Sequence, residues 1–282
     1  APRLPVPEPH SAALLPIGLL LLAVWRRRPA APGLPLVLGV LLVPAVARAD
    51  ASAMVVVATG TPSFLHPFDS ASDEVLGGGA ARASLSGQVQ PAGADPFSWV
   101  AGAWGSTRRG AAGAEIVSDR GDRAVRGEVN ASGLVRDTIH IDGSRPGIAV
   151  FSAGVFGSFA SLSGSRFQAN GTLTVVTPTG SNSAEVRFLW TKDAGSLQPS
   201  VVASDGSTGI QQEPGNLSAT LHVPVLVQPG DDVFVQLVVA VNVRPGDNDQ
   251  AVANFGHTMQ LAVALPDGLT YTSASGDFMV DA

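Results

Sequence analysis

Period-two alternation runs through most of the chain beyond residue 50. Leu217, Ala219, Leu221 and Val223 fall on one side of a stretch whose other side is Ser218, Thr220 and His222. Ala184, Val186, Phe188 and Trp190 share a face opposite Glu185 and Arg187. Met259, Leu261, Val263 and Leu265 repeat the pattern, and every odd position from Val233 to Val243 is apolar. An extended chain turns successive side chains to opposite faces, so these stretches are half-buried strands. Further strands are expected over Met54–Ala58, Ala83–Val89, Phe97–Trp104, Ala124–Val129, Leu134–Ile141, Ile148–Phe156, Thr172–Val176 and Val201–Ala203. Asp142-Gly143, Pro229-Gly230, Pro245-Gly246 and Pro266-Asp267-Gly268 mark turns between them. No stretch beyond residue 50 combines helical period with caps. About a dozen short strands predict an all-β body over 50–282, a single antiparallel β-sandwich or jelly roll. Residues 60–82, with Gly77-Gly78-Gly79, read as a long loop or linker within it.

Before residue 50 the pattern changes, and short apolar helices are expected. Ala12–Trp25 is apolar throughout, and Arg26, Arg27 and Arg28 follow directly. A helix over that run reaches about 21 Å against a hydrocarbon core of about 30 Å, a marginal span. Its arginines would remain cytoplasmic. A second apolar run, Leu34–Val43, leads to the small residues Ala47 and Ala49. With Arg26–Arg28 as its basic start, it has the three parts of a secretory signal peptide, cleaved after Ala49. The competing reading is a buried helical hairpin, but a short apolar run ending in A-x-A suits export better.

Val6-Pro7-Glu8-Pro9-His10-Ser11, the apolar segment and Arg26–Arg28 stand in that order. Together they resemble the PEP-CTERM sorting signal. In that family the tripeptide precedes one membrane segment and a basic end. The segment anchors an exported protein until an exosortase-type enzyme processes it. The resemblance covers Val6–Arg28 and assigns Pro7, Glu8, Pro9, Arg26, Arg27 and Arg28 to the sorting motif. It implies an exosortase-type enzyme and the export machinery as partners, and a link to exopolysaccharide or biofilm matrix. The family carries this signal at the extreme C-terminus, whereas here it lies at the N-terminus. Leu265–Phe278 looks like the last hairpin of such exported proteins. Residue 1 is Ala, and the first methionine is Met54. The expectation is a fragment or a wrongly bounded gene model. Residues 1–28 would be the tail of one product, and 29–49 the signal peptide preceding the body of the next.

Composition narrows the classes further. Only 14% of residues are charged, yet mean hydropathy is +0.25, which is not a disordered composition. There is no cysteine, so disulfide scaffolds, thiol enzymes and cysteine metal sites are excluded. Net charge is −6. Without Arg3, Glu8, Arg26, Arg27, Arg28 and Arg48, the body has 12 basic and 22 acidic residues, or −10. Such a body has little attraction for nucleic acid or anionic lipid. Membrane contact is expected only through the N-terminal segments.

The candidate chemistry is sparse. His10, His66, His140, His222 and His257 are scattered without metal-ligand spacing, so no metal or cofactor is expected. Asp231-Asp232 and Asp247-Asn248-Asp249 flank the strand Val233–Val243. They could hold calcium between loops, but Asp and Asn also favour ordinary turns. Trp99, Trp104 and Trp190 are candidates for a sugar-stacking platform. Trp190 shares the core face of Phe188, and an offset of five puts Trp99 and Trp104 on opposite faces. Asn130, Asn170 and Asn216 head formal glycosylation sequons. There is no nucleophile elbow, P-loop or dinucleotide fingerprint, and no catalytic residue is assigned. The reading is a non-enzymatic exported envelope or extracellular protein. The alternative is a secreted carbohydrate-binding module or glycan-active enzyme on a sandwich.

Overall fold

The computed structural model describes residues 49–282 except 62–63, 90–95, 121–125, 162–164, 191–196, 204–208, 214–215, 247–248, 277–279 and 282. The described residues form strands joined by turns, with one short 3-10 turn at Thr107–Arg109 and no α-helix. The sorting and membrane segment expected at 1–28, and the signal-peptide segment up to residue 48, lie outside them.

Sheet A contains β1 (Asp50–Thr61), β2 (Phe64–Leu76), β6 (Arg126–Gly143), β8 (Arg166–Thr177), β9 (Gly180–Trp190), β10 (Leu197–Ala203) and β13 (Asp232–Arg244). Sheet B contains β3 (Ala80–Val89), β4 (Phe97–Ser106), β5 (Ala111–Arg120), β7 (Gly147–Ser161), β11 (Gly209–Glu213), β12 (Asn216–Val227) and β14 (Asp249–Ala264). β15 (Leu269–Ser273) pairs with β6, and β16 (Val280–Asp281) runs parallel to β14. The strand orders are β10-β9-β8-β13-β6-β1-β2 and β11-β12-β7-β14-β5-β4-β3.

The pairing follows a rolled ribbon. β5 pairs with β14, β6 with β13, β7 with β12 and β8 with β9, all antiparallel. Rolling that ribbon lays β14 against β7 and β13 against β8. These eight strands thus have jelly-roll order, with the other strands extending both sheets.

The inward positions are those the alternation marks. Val233, Val235, Leu237, Val239, Val241 and Val243 are all buried. Ala184, Val186 and Phe188 are also buried, while Glu185 and Arg187 pair with one another on the outer face. Aromatic rings from the two sheets interlock. Phe159 stacks on Phe167 with centroids 4.3 Å apart, Phe167 lies 5.7 Å from Phe255, and Phe255 lies 6.2 Å from Phe188.

Elsewhere the two sheets meet through backbone. A β-carbon on Gly133 of β6 would collide with the Trp104 carbonyl oxygen and lie 2.8 Å from the Gly113 carbonyl oxygen. One on Gly105 of β4 would collide with the Leu134 carbonyl oxygen. Sandwich sheets normally stand about 10 Å apart because side chains fill the gap. Glycines facing each other's backbone remove that filling, so the sheets close directly on one another here.

The structure corrects two expectations. Residues 60–82 are not a loop, because β2 occupies Phe64–Leu76 and pairs along β1. β2 is an edge strand with acidic Asp69, Asp73 and Glu74. Among the described side chains of β2, Ala71 and Val75 pack partly on the core. β6 is one 18-residue strand, not a break between Val129 and Leu134. Gly133 looks like punctuation in sequence but marks the close approach of the sheets. β5 was missed because its inward residues are mainly small: Ala112, Ala114, Ile116 and Ser118.

Candidate functional site

Two carboxylates sit where the pattern calls for apolar side chains. Asp137 occupies an inward position of β6 and is fully buried. Its oxygens accept hydrogen bonds from the Thr138 N–H at 2.7 Å, the Ser275 hydroxyl at 2.5 Å and the Ser275 N–H at 3.3 Å. It therefore holds the turn after β15 against the sandwich. Burial pushes its carboxyl above the usual aspartate range, against the lowering effect of the Ser275 hydroxyl and the nearby backbone amides. The folded state then binds the proton more tightly than the unfolded chain. Stability should fall as pH rises through the window just above the ordinary aspartate value. Asp137→Asn is expected to lack this fall. Urea midpoints of both proteins from about pH 4 to 7 check it, and parallel pH profiles would refute it.

Asp249, also buried, accepts from the hydroxyls of Ser161, at 2.6 Å, and Ser165, and from the Ser165 N–H at 3.2 Å. Ser165 Oγ in turn accepts from the Gly246 N–H at 3.1 Å. The group ties the β7–β8 connection to the β13–β14 connection. At the start of β1, Asp50 takes Nε and Nη2 of Arg136 at 2.8 and 2.7 Å.

The two acidic turns do not come together. Asp232 begins β13, and Asp249 lies beyond its far end. A 13-residue strand separates them by about 40 Å. Asp231 accepts from the Gln228 N–H as an ordinary turn residue. Asp232 instead meets Nδ1 of exposed His140 at 2.8 Å, and that hydrogen bond raises the imidazole's pKa. His222 lies on sheet B, with Nδ1 2.9 Å from Ser152 Oγ. His140 and His222 thus belong to different sheets. His10 and the side chains of His66 and His257 lie outside those described. Among the described residues no group of three or more His, Asp or Glu could hold a metal ion.

The tryptophans divide as their parity requires. Trp99 faces inward and is buried beside Phe97, with centroids 5.1 Å apart. Trp104 faces outward on sheet B, and the Trp190 side chain lies outside those described. The Trp104 indole crosses Gly113 of β5, whose β-carbon would sit 2.7 Å from Nε1. Its Nε1 donates to the Gly256 carbonyl of β14 at 2.8 Å. Trp104 pairs with Gly113, and the register of β14 shifts beside it, between Asn254 and Met259, with Gly113 on one side of that bulge and Phe156 on the other. Phe156 is 56% exposed, and its ring covers Gly154, whose β-carbon would lie 2.6 Å from Cε2. Ser158, Asn216, Ser218 and Asn254 line a shallow depression beside it. Glu115 projects between Gly102 and Gly256, and the Asn254 Oδ1 accepts from the Gly256 N–H. Glycine floors therefore let two aromatic rings lie along one open face, among amides, hydroxyls and a carboxylate. The sequence reading missed Phe156. Its signal was an aromatic residue on the polar parity of β7, two positions after a glycine on the same face.

The outer face of sheet A carries an amide ladder. Asn242 Nδ2 donates to Glu128 at 2.6 Å and to Asn130 Oδ1 at 2.5 Å, and Arg244 pairs with Glu128 at 2.5 Å. Gln168 donates to Asn170 at 3.2 Å. Two sequon asparagines, Asn130 and Asn170, are thus engaged within strands, while Asn216 is exposed at the start of β12.

Pro7, Glu8, Pro9, Arg26, Arg27, Arg28 and Ala47 lie outside the described residues. Ala49 is buried, its carbonyl accepts from the Gly78 N–H at 2.7 Å, and β1 begins at the next residue. Among the described residues no helix is long and apolar enough to cross a membrane. Compared with protein-family models, curated proteins and solved structures, the chain matches none.

Proposed function

We propose that this chain is a non-enzymatic exported protein of the cell envelope or extracellular matrix. An exosortase-type system sorts it, and its β-sandwich acts through its outer faces. The observation that carries the export reading is the position of β1. The first described strand starts at Asp50, one residue past the small-residue pair Ala47 and Ala49. Cleavage after Ala49 would leave the Asp50–Arg136 ion pair and every described strand in place. It would remove one backbone acceptor from Gly78, a net loss of about 1 kcal/mol. The sorting assignment rests on the order Pro7-Glu8-Pro9, apolar segment, Arg26–Arg28. Arginines held in the cytoplasm put the tripeptide on the outer face, within reach of a membrane-bound enzyme.

A binding role fits the way the carboxylates are deployed. Asp50, Asp137 and Asp249 are buried in structural bonds, while the outward chemistry is spread over open sheet faces. Glu115 and Asp119 share the outer face of sheet B but are four positions apart on β5, about 13 Å. That exceeds the roughly 5–9.5 Å between paired glycosidase carboxylates. The aromatic row favours carbohydrate binding over carbohydrate cleavage.

Two readouts test the proposal. Expressed from Arg26 behind an added methionine, the exported product is expected to begin at Asp50 by N-terminal sequencing. A retained Leu34–Val43 would end the signal-peptide reading. Residues 6–28 fused after an exported reporter should release it only where the exosortase is present. Replacing Pro7-Glu8-Pro9 by alanines should abolish release, and equal release from both hosts would remove the sorting assignment.

A further inference from the structure

Five of the seven large apolar side chains exposed among the described residues share one surface, Met54 and Leu76 lying on sheet A. Val100, Val117, Ile148, Phe156 and Leu226 all lie on the outer face of sheet B. Concentrated apolar exposure marks a surface that meets something. Its layout is not a continuous apolar sheet. Ile148 and Leu226 pair at one end, and Val100 and Val117 pair toward the other. Between them runs the transverse row that holds Trp104 and Phe156.

We propose that this row binds a neutral polysaccharide laid across the strands. The proposal deepens the matrix-association part of the proposed function. The ring positions support it first. Trp104 and Phe156 each cover a glycine rather than standing off the sheet, which makes them platforms for the apolar C–H face of a pyranose. They stand on β4 and β7, three strand spacings or about 14 Å apart, and the Trp104 indole reaches over β5 toward Phe156. The polar groups support it second. The Trp104 N–H is already satisfied by Gly256, so the indole offers a ring and not a donor. Hydrogen bonding falls to the neighbours. Asn216 and Asn254 offer amides, and Glu115 can accept from sugar hydroxyls. An apolar floor with a few placed polar groups is the composition of a small-molecule site.

Charge selects the kind of chain. The described charged groups on this face are Arg82, Glu115 and Asp119, and the body as a whole is acidic. A polyanionic glycan would be repelled. A second copy of this chain is a poorer occupant, because stacking the faces would desolvate Glu115 and Asp119 with Arg82 as the described cation.

The test is affinity electrophoresis of the full chain in native gels. The gels contain hydroxyethylcellulose, laminarin, galactomannan or dextran, with alginate as the anionic polymer. At least one neutral polymer should retard the protein, and alginate should not. Trp104→Ala and Phe156→Ala should each weaken retardation about tenfold. Leu226→Ala, on the same face but outside the row, should leave it unchanged. Thermal melts identify any variant that is unfolded, and Trp104→Phe then replaces Trp104→Ala, with partial retention expected. Failure of all four neutral polymers overturns the proposal, as does retardation by alginate alone. So does retardation that both aromatic variants retain. A concentration-dependent dimer dispersed by Phe156→Ala, without retardation, assigns the face to a second copy instead. Processing is read separately on the mass of the exported product, so correct sorting without retardation sinks this proposal and leaves the sorting assignment standing.

Discussion

Gly133→Ala should lose at least about 3 kcal/mol of folding stability, a large share of the roughly 5–15 kcal/mol available to a domain. The added methyl group has nowhere to go. It meets the Trp104 carbonyl oxygen and the Gly113 backbone, and neither can swing aside as a side chain would. Relief requires parting β6 from β4 and β5, which lengthens ladder hydrogen bonds on both sheets. Gly105→Ala should behave alike, because its β-carbon meets the Leu134 carbonyl oxygen from the opposite sheet. Gly180→Ala is the control, since nothing lies within 4 Å of the position its β-carbon would take. It should stay within about 0.5 kcal/mol of the parent. Urea unfolding of the three variants decides the matter. A cost below about 1 kcal/mol at both Gly105 and Gly133 would mean that the sheets do not meet there.

Phe255→Ala and Phe188→Ala should each cost about 3–5 kcal/mol, whereas Arg187→Ala should cost less than about 1 kcal/mol. Phe255 is the middle ring of a set drawn from both sheets and touches the rings of Phe167 and Phe188. Its removal opens a cavity between rigid sheets that cannot collapse around it. Arg187 pairs with Glu185 on the outer face, where both side chains are partly exposed, and its loss removes that one ion pair. The double variant Phe188→Ala with Phe255→Ala should cost less than the sum, because the two rings share one cavity. Equal costs for Phe188→Ala and Arg187→Ala would reverse the face assignment of β9.

That face assignment was legible from parity alone, as were β12, β13 and the opposite fates of Trp99 and Trp104. Strands with a strong contrast between apolar and polar positions announce themselves. β2 did not, because it is an edge strand whose second half, Asp69–Leu76, is mostly polar and is held by backbone pairing to β1. Gly133 misled for a different reason. A glycine inside a strand is the same letter whether it breaks the strand or admits another backbone, and only the opposing sheet distinguishes the two. Asp137 and Asp249 could be seen as polar residues on inward positions, but their partners are 138 and 84 residues away. The aromatic row was half visible. Parity put Trp99 and Trp104 on opposite faces without saying which of them faced outward, and the alignment of Trp104 with Phe156 depends on β5 and β14 lying between them, of which β5 is too rich in alanine to stand out.

The wiring of the ribbon also sets a schedule. β13 occupies the middle of sheet A and β14 the middle of sheet B, yet they are the thirteenth and fourteenth of the described strands in chain order. Until residue 244 has been made, β6 and β8 lack the strand that joins them, and until residue 264 β5 and β7 lack theirs. Pairings such as Val129 with Val243 and Arg120 with Asp249 close loops of more than a hundred residues, which makes folding slow as well as late. A nascent chain of this design cannot complete either sheet during most of its synthesis. On the export proposed above, that delay leaves neither sheet locked while the chain is threaded through a narrow pore.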